Sequence, residues 1–256
     1  MAQHPNINAS AVGSGSSVPV ERCQISGSQD LRTILFLGFL PSVNTMEPIG
    51  TRPSEQPAYP AELLYCPESK LVQLGLILDP AVLYPPHYAN RTGVTRGMRE
   101  NFAELYQEVM RLYPISKEDL VVDVGSNDGT LLSNFQAAGH RVLGIEPTGA
   151  GQVALDHGVD TLNSFFGPKV ATEVVERNGR CKIVTGTYVL SHIENVHELV
   201  ESILAMLDHD GIFISEVHYL PSLIETLQYD AIYHENLRYH SLQSLKYLFE
   251  MHELEI

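Results

Sequence analysis

Basic residues are scarce in this chain. Lys and Arg together number 16 against 31 Asp and Glu, a formal charge of −15 over 256 residues. A nucleic-acid partner is therefore not expected, because neutralising phosphates needs clustered Lys and Arg. A small anionic substrate held by a few local cations stays within reach. No apolar run approaches the ~18 residues that a membrane span requires. Residues Met1–Val20 lack a basic region followed by an apolar core, so no secretory signal is expected. Cysteines number only three, an odd count that argues against a disulfide framework. Cytoplasm is the expected compartment. What remains, 44% hydrophobic and 18% charged residues, is the composition of a globular protein with one large domain and room for a small one.

The stretch Val121-Val122-Asp123-Val124-Gly125-Ser126-Asn127-Asp128-Gly129-Thr130-Leu131-Leu132 is the strongest signal. A run of buried-strand residues enters a glycine turn, and a second glycine opens an apolar helix. This is the strand–turn–helix of a doubly wound α/β domain. Gly125 lets the chain reverse, and Gly129 lets the helix start close to the sheet with its free N–H groups facing the crevice. Twenty-three residues beyond Asp123 stands Glu146, ending the strand pattern of Arg141–Ile145. An acid there can accept both ribose hydroxyls of an adenosine. The turn is not G-x-G-x-x-G, so a dinucleotide is the weaker reading.

Residues 1–20, rich in Ser, Gly, Asn and Ala without periodicity, read as a disordered arm. Residues 21–92 read as a small, irregular, β-rich module containing Cys23 and Cys66, of a size that often needs a metal. Met98, Phe102, Leu105, Val109 and Leu112 mark one face of a helix. From 93 onward strands and helices alternate: strand 121–124, a helix ending at Gly139, strand 141–146, a helix over 150–157, an extended piece near 159–163, and a helix between Pro168 and Gly179. A strand from Cys181, a helix over Val196–Leu207 and a strand over Gly211–Val217 follow. This alternation predicts a parallel sheet whose ligand crevice lies at the strand C-terminal ends, where Gly125, Glu146, Thr187 and Glu216 fall. Ser241 caps a last helix.

The sequence Gly125-Ser126-Asn127-Asp128-Gly129 followed by Gly144-Ile145-Glu146-Pro147 resembles the class I methyltransferases that use S-adenosylmethionine. The segment Tyr233-His234-Glu235-Asn236-Leu237-Arg238-Tyr239-His240-Ser241-Leu242 resembles the Tyr-His-Glu-His-x-x-Tyr-(Tyr/Phe)-Ser-Leu motif of NDP-sugar C-methyltransferases. That family carries an N-terminal zinc-binding module with two C-x₂-C pairs, the second before a Leu-Val-Gln-Leu strand. Here Leu71-Val72-Gln73-Leu74 is present, but the pairs read Cys23-Gln24-Ile25-Ser26 and Cys66-Pro67-Glu68-Ser69. Two thiolates alone do not close a tetrahedral structural site, and a serine hydroxyl is a poor ligand. The pattern therefore speaks against bound zinc. A Cys23–Cys66 disulfide is the alternative, disfavoured in a reducing compartment.

The resemblance implies a Rossmann-like methyltransferase sheet that is incomplete at its C-terminus over 93–256, and S-adenosylmethionine as cofactor. It implies cofactor contacts at Gly125, Asn127, Asp128, Gly129, Glu146, Pro147 and Thr187, with Asp128 near the methionine amino group. Catalytic positions are Tyr233, Glu235, His192, Asn236 and His234, and substrate positions are Tyr88, His218 and Tyr239. The family chemistry is enolate attack by a 4-keto sugar on the sulfonium methyl. Asn236 stands where the family has its second His, and a neutral amide cannot take a proton. Either His192, His234 or a tyrosinate replaces it, or the acceptor is a hydroxyl, giving O-methylation. A rival of another class is a non-catalytic nucleotide-binding or assembly protein. The family's sheet has seven strands and a further C-terminal domain, so a truncated sequence is expected.

Overall fold

The computed structural model describes residues 17–44, 49–52, 55–84 and 90–256. Its elements in chain order are β1 (Val18–Pro19), β2 (Arg32–Pro41), β3 (Ala58–Cys66), β4 (Leu71–Leu74), β5 (Leu76–Ile77), α1 (Pro80–Leu83), α2 (Arg96–Leu112) and β6 (Leu120–Val124). Then come α3 (Thr130–Ala137), β7 (Arg141–Ile145), α4 (Ala150–Asp156), β8 (Thr161–Leu162), α5 (Pro168–Asn178), β9 (Cys181–Thr187) and α6 (Val189–His192). The chain finishes with α7 (Val196–Met206), β10 (Leu207–Glu216), α8 (Leu220–Glu225), β11 (Arg238–Tyr239) and α9 (Leu242–Glu250).

Two compact units use these elements. An α/β unit takes residues 86–189 and 198–216, and an antiparallel unit takes 1–85, 190–197 and 217–256. In the α/β unit five strands lie in the order β10-β9-β6-β7-β8, all parallel. Every residue of β6 is buried, as a central parallel strand covered on both faces requires. Val121 and Ile183 pack with Leu131, Leu132 and Phe135 of α3 and with Phe102 and Val109 of α2. The predicted stripe on α2 is thus the core-facing one, although Leu112 at its end is exposed. The order reverses direction between β6 and β9, so the C-terminal ends of these strands form the topological switch point. The strand expected from Gly211 begins at Leu207, with a register shift between Leu207 and Ile212.

The antiparallel unit holds a four-stranded sheet, β11-β4-β3-β2, and the two-stranded pair β1-β5. Val18 and Pro19 pair with Ile77 and Leu76, so the end of the arm expected to be disordered is a strand; residues 1–16 lie outside the described residues. Arg238 and Tyr239 of β11 pair with Gln73 and Val72 of β4. That pairing joins residues 217–256 to the N-terminal module, and the compact units do not follow the linear division at 92/93. Ser241 accepts from the Ser244 N–H and Ser244 reciprocates at the Ser241 N–H, a capping box that starts α9. Among the described residues no helix is long and apolar enough to cross a membrane.

Phe135 is fully buried, edge-on to Tyr106 with ring centroids 4.9 Å apart. Phe135→Ala is expected to cost about 3–5 kcal/mol, read as a lowered denaturant midpoint at unchanged slope.

Candidate functional site

The turn after β6 bends through left-handed backbone at Gly125 (φ 72°), Asn127 (φ 50°) and Gly129 (φ 76°). A Cβ on Gly125 would lie 3.0 Å from Val189 Cγ2, and one on Gly129 would lie 3.1 and 3.2 Å from the Cβ atoms of Val159 and Ala154. Both glycines are therefore required by packing as well as by φ. Asn127 accepts αL more readily than most residues.

Glu146, buried just past β7, closes the turn from the neighbouring strand. Its Oε2 accepts the Asn127 N–H at 3.0 Å and its Oε1 accepts the Thr148 N–H at 2.8 Å. Each oxygen keeps a second lone pair, so the carboxylate is held still and can receive two hydroxyls. This is the arrangement a ribose diol fits, and with the glycine turn it suits an adenosine-bearing cofactor. Asp123, also buried, is pushed up to about 7 by burial first; the Thr185 hydroxyl donating to it at 2.7 Å works against this, and the charge of Glu146 adds to it. Pro147 is half-buried beside Glu146, and Thr187 ends β9 opposite Glu216.

Asp128 is engaged by its own unit. Its carboxylate accepts from the hydroxyls of Thr92 at 2.8 Å and Thr130 at 2.6 Å, and from the Gly93 N–H at 2.8 Å. Burial alone would raise its pKa, but these hydrogen bonds outweigh it and hold the group below the usual carboxylate range. Asn127 works with it, accepting the Thr92 N–H and donating to the Asn90 carbonyl. Together they pin the 90–93 segment over the turn, a use of Asp128 that its expected place near an amino group does not include.

Two residues here escaped the sequence reading. Tyr188 has φ 64°, rare for a bulky residue, immediately after β9 at the switch point. Its hydroxyl donates to Glu216 at 3.1 Å, and Asn101 of α2 donates to both Glu216 oxygens. Adjacency to Thr187 was the one available signal for Tyr188.

The antiparallel unit carries the second cluster. Asn236 is fully buried. Its Nδ2 donates to the Ala231 carbonyl at 2.9 Å, and its Oδ1 lies 3.0 Å from Nε2 of the half-buried His192. Burial pushes His192 down to about 4; the Asn236 hydrogen bond opposes this, and His218 and Arg238 reinforce it. Tyr233 is half-buried and raised by burial, then by the charge of Glu235, against the opposing side-chain hydrogen bond with Asn236. Glu235 is buried, raised by burial and partly offset by Asn44, which donates to it.

Other candidates fall elsewhere. His234 is buried, its Nε2 3.1 Å from the Pro60 carbonyl and its ring edge-on to Tyr59. It braces β3. Tyr239, expected on the substrate side, is a core residue: it is 1% exposed among Leu63, Val72 and Leu74, with its hydroxyl reaching the Ala231 carbonyl. As the second residue of β11, it faces into that sheet's apolar cluster. Tyr88 lies outside the described residues.

The four positions of the expected zinc site do converge. Cys23 Sγ is 3.1 Å from Ser69 Oγ, and Ser26 Oγ is 3.5 Å from Cys66 Sγ. The donor set does not fit zinc. Two of its members are neutral hydroxyls, and among the described residues no His, Cys, Asp or Glu atom makes a third with the two thiols. Burial pushes the Cys23 thiol up; at Cys66 hydrogen bonds from Ser69 and Ser26 outweigh burial and lower it.

Comparison with known proteins gives three results. Residues 97–256 match the family model described as "Methyltransferase domain", and residues 23–84 match one described as "Putative zinc binding domain". The chain is 31% identical over 239 residues to the C-methyltransferase NovU of Streptomyces niveus, covering 93% of this chain and 57% of that protein. It thus spans little more than half the length of that relative. Among solved structures, the plantazolicin methyltransferase BpumL in complex with SAH is 15% identical with a TM-score of 0.49, over 60% of this chain and 62% of that one. The YcgJ protein of Bacillus subtilis is 19% identical with a TM-score of 0.49, over 61% and 69%.

The Cys/Ser quartet makes a definite prediction. A chelator is expected to leave the Tm of the purified chain unmoved, and metal analysis to find no stoichiometric zinc. The Ser26→Cys/Ser69→Cys double variant is expected to bind one zinc and to lose stability on chelation, as structural thiolate sites do.

Proposed function

This chain belongs to the S-adenosylmethionine-dependent methyltransferases, and from that premise we propose that it methylates a carbon of a small nucleotide-activated deoxyketosugar. Glu146 is the observation that carries the reading. It is an immobilised carboxylate with two open lone pairs, directly beside the glycine turn of a switch-point strand. When bound, the cofactor supplies an electrophilic methyl on a sulfonium. Glu146 binds the ribose hydroxyls, Gly125 and Gly129 shape the turn against the methionine portion, and Asn127 and Asp128 hold that turn rigid. Pro147 and Thr187 flank it at the same sheet edge.

Carbon methylation requires a proton to leave the carbon next to the ketone. The C–H electron pair becomes the enolate, the enolate carbon bonds to the methyl carbon, and the S–C pair returns to sulfur. The proton stays on a base of the protein. Tyr233 is the donor assigned to the developing enolate oxygen; its raised pKa keeps the phenol protonated. Glu235 and His218 are assigned to the sugar. Support for carbon over oxygen is the named chemistry of the Streptomyces niveus relative. One observation favours a second reading, methylation of a hydroxyl: Asn236 offers no basic atom where a base would stand, and an alcohol needs weaker base assistance.

Calorimetric titration with S-adenosylhomocysteine is expected to show micromolar binding. Glu146→Ala is expected to weaken it by roughly 100-fold, the loss of two charge-assisted hydrogen bonds. A folded protein that does not bind would overturn the reading and leave a non-catalytic relative. In a screen of nucleotide ketosugars, a carbon-bound methyl in the product spectrum supports C-methylation, and a methoxy signal supports the second reading.

A further inference from the structure

We infer that Asn236 is a positioning residue that locks His192 in the Nε2–H form and thereby makes His192 Nδ1 the proton acceptor of this chain. The inference rests on the methyl-transfer reading for its role, but not for its geometry. Asn236 Nδ2 donates to the Ala231 carbonyl at 2.9 Å. A carbonyl can only accept, so the amide nitrogen must face Ala231 and the amide oxygen must face His192. That oxygen also only accepts. His192 Nε2, 3.0 Å away, therefore carries the hydrogen. A neutral imidazole has one N–H, which leaves the Nδ1 lone pair open. Among the described residues Asn236 is the hydrogen-bond partner of the half-buried His192, and Nδ1 makes no hydrogen bond.

The backbone under His192 is fixed on both sides. Arg238 donates to the carbonyls of Leu190, Ile193 and Glu194, and the Leu237 N–H donates to Ser191 at 2.8 Å. The neighbouring candidates are engaged. His234 is turned to Pro60, His240 is fully buried, and Tyr233 would have to ionise against burial. The charged or titratable groups facing His192 are Arg238 and His218, and both oppose a proton on it. With burial, they keep the imidazole neutral and able to accept throughout the neutral range. In the reaction the Nδ1 lone pair takes the proton from the carbon beside the ketone. The imidazole becomes imidazolium with its Nε2–H still on Asn236, while the carbon's electron pair goes on to form the new C–C bond.

The test reads the tautomer directly. Two-bond ¹H–¹⁵N correlation spectra of the full chain, with His192 assigned by its loss in His192→Gln, are expected to show Nε2 protonated and Nδ1 bare from pH 5 to 8. Asn236→Ala is expected to convert this to a mixture of tautomers. Protonated Nδ1 in the parent chain, or an unchanged spectrum in Asn236→Ala, would overturn the inference whether or not the protein turns over. Kinetics add a second readout. His192→Gln is expected to lower kcat by ~10²–10⁴-fold, the usual weight of a general base. Asn236→Asp puts a carboxylate on the Nε2–H and stabilises the imidazolium, so the acid limb of the kcat profile is expected to move up by at least one pH unit. An unmoved limb in a folded variant would count against the lock. Failure to bind S-adenosylhomocysteine would remove the methyltransferase reading while leaving the tautomer result standing.

Discussion

A full positive charge is buried at Arg238, and the antiparallel unit is arranged around it. The side chain is 0% exposed, and burial draws its pKa down only to about 9, so it remains a cation at neutral pH. Among the described residues its hydrogen bonds go to no carboxylate. They go to the carbonyls of Leu190, Ile193 and Glu194 and to the side-chain oxygen of Gln24. Desolvating a cation costs several kcal/mol unless its donors are met. The planar fork of a guanidinium reaches several acceptors at once, which an ammonium on a flexible stem does not. Three of the four acceptors lie at and just beyond α6, whose terminal carbonyls need partners anyway. One side chain thus answers two needs, and in doing so ties the end of α6, which carries His192, to β11, two residues after Asn236.

The α/β unit was legible because its signals are local. Alternating apolar runs and amphipathic stretches place five strands and their helices within a few residues of the observed bounds. The Gly125–Gly129 turn and Glu146 fall at the expected sheet edge. The antiparallel unit was less legible, because what organises it is a two-residue strand paired across more than 160 positions. Arg238-Tyr239 has no periodicity to read. Its polar neighbours and tyrosines look like a substrate loop, yet tertiary pairing buries Tyr239 in the core. Asp128 has a structural use that local signals do not reveal. An acid at a helix start near a cofactor turn suggests a ligand contact; the structure adds hydrogen bonds from Thr92, Gly93 and Thr130, none of which the sequence singled out.

The Cys/Ser quartet brings four side chains together without the chemistry of a zinc site. Ser26 and Ser69 stand at the spacing of ligands and still meet the two sulfurs. Hydroxyl–thiol hydrogen bonds are individually weak, of order 1 kcal/mol, far below the binding energy of a structural zinc. What holds the module instead is packing and backbone pairing: Cys23, Cys66, Leu71 and Leu74 are fully buried, and β4 is bonded on both edges.

The same logic bears on the Asn236 position. A basic imidazole there would have to share its space with His192 and with the Arg238 cation, and two imidazoles in contact beside a guanidinium hold protons poorly. An amide escapes that conflict, since it carries no charge at any working pH and presents a fixed acceptor. In the proposed reaction the cost is a base of low proton affinity, because burial, His218 and Arg238 all press on His192. Such a base stays unprotonated and ready, but it removes a proton well only when the resulting anion is itself stabilised. In the proposal the demand falls on the oxygen side of the acceptor, to which Tyr233 is assigned, its phenol kept protonated by burial and by Glu235 against the hydrogen bond with Asn236. A weak base and a strong donor are complementary ways of lowering the same barrier, and the proposed assignment leans on the second.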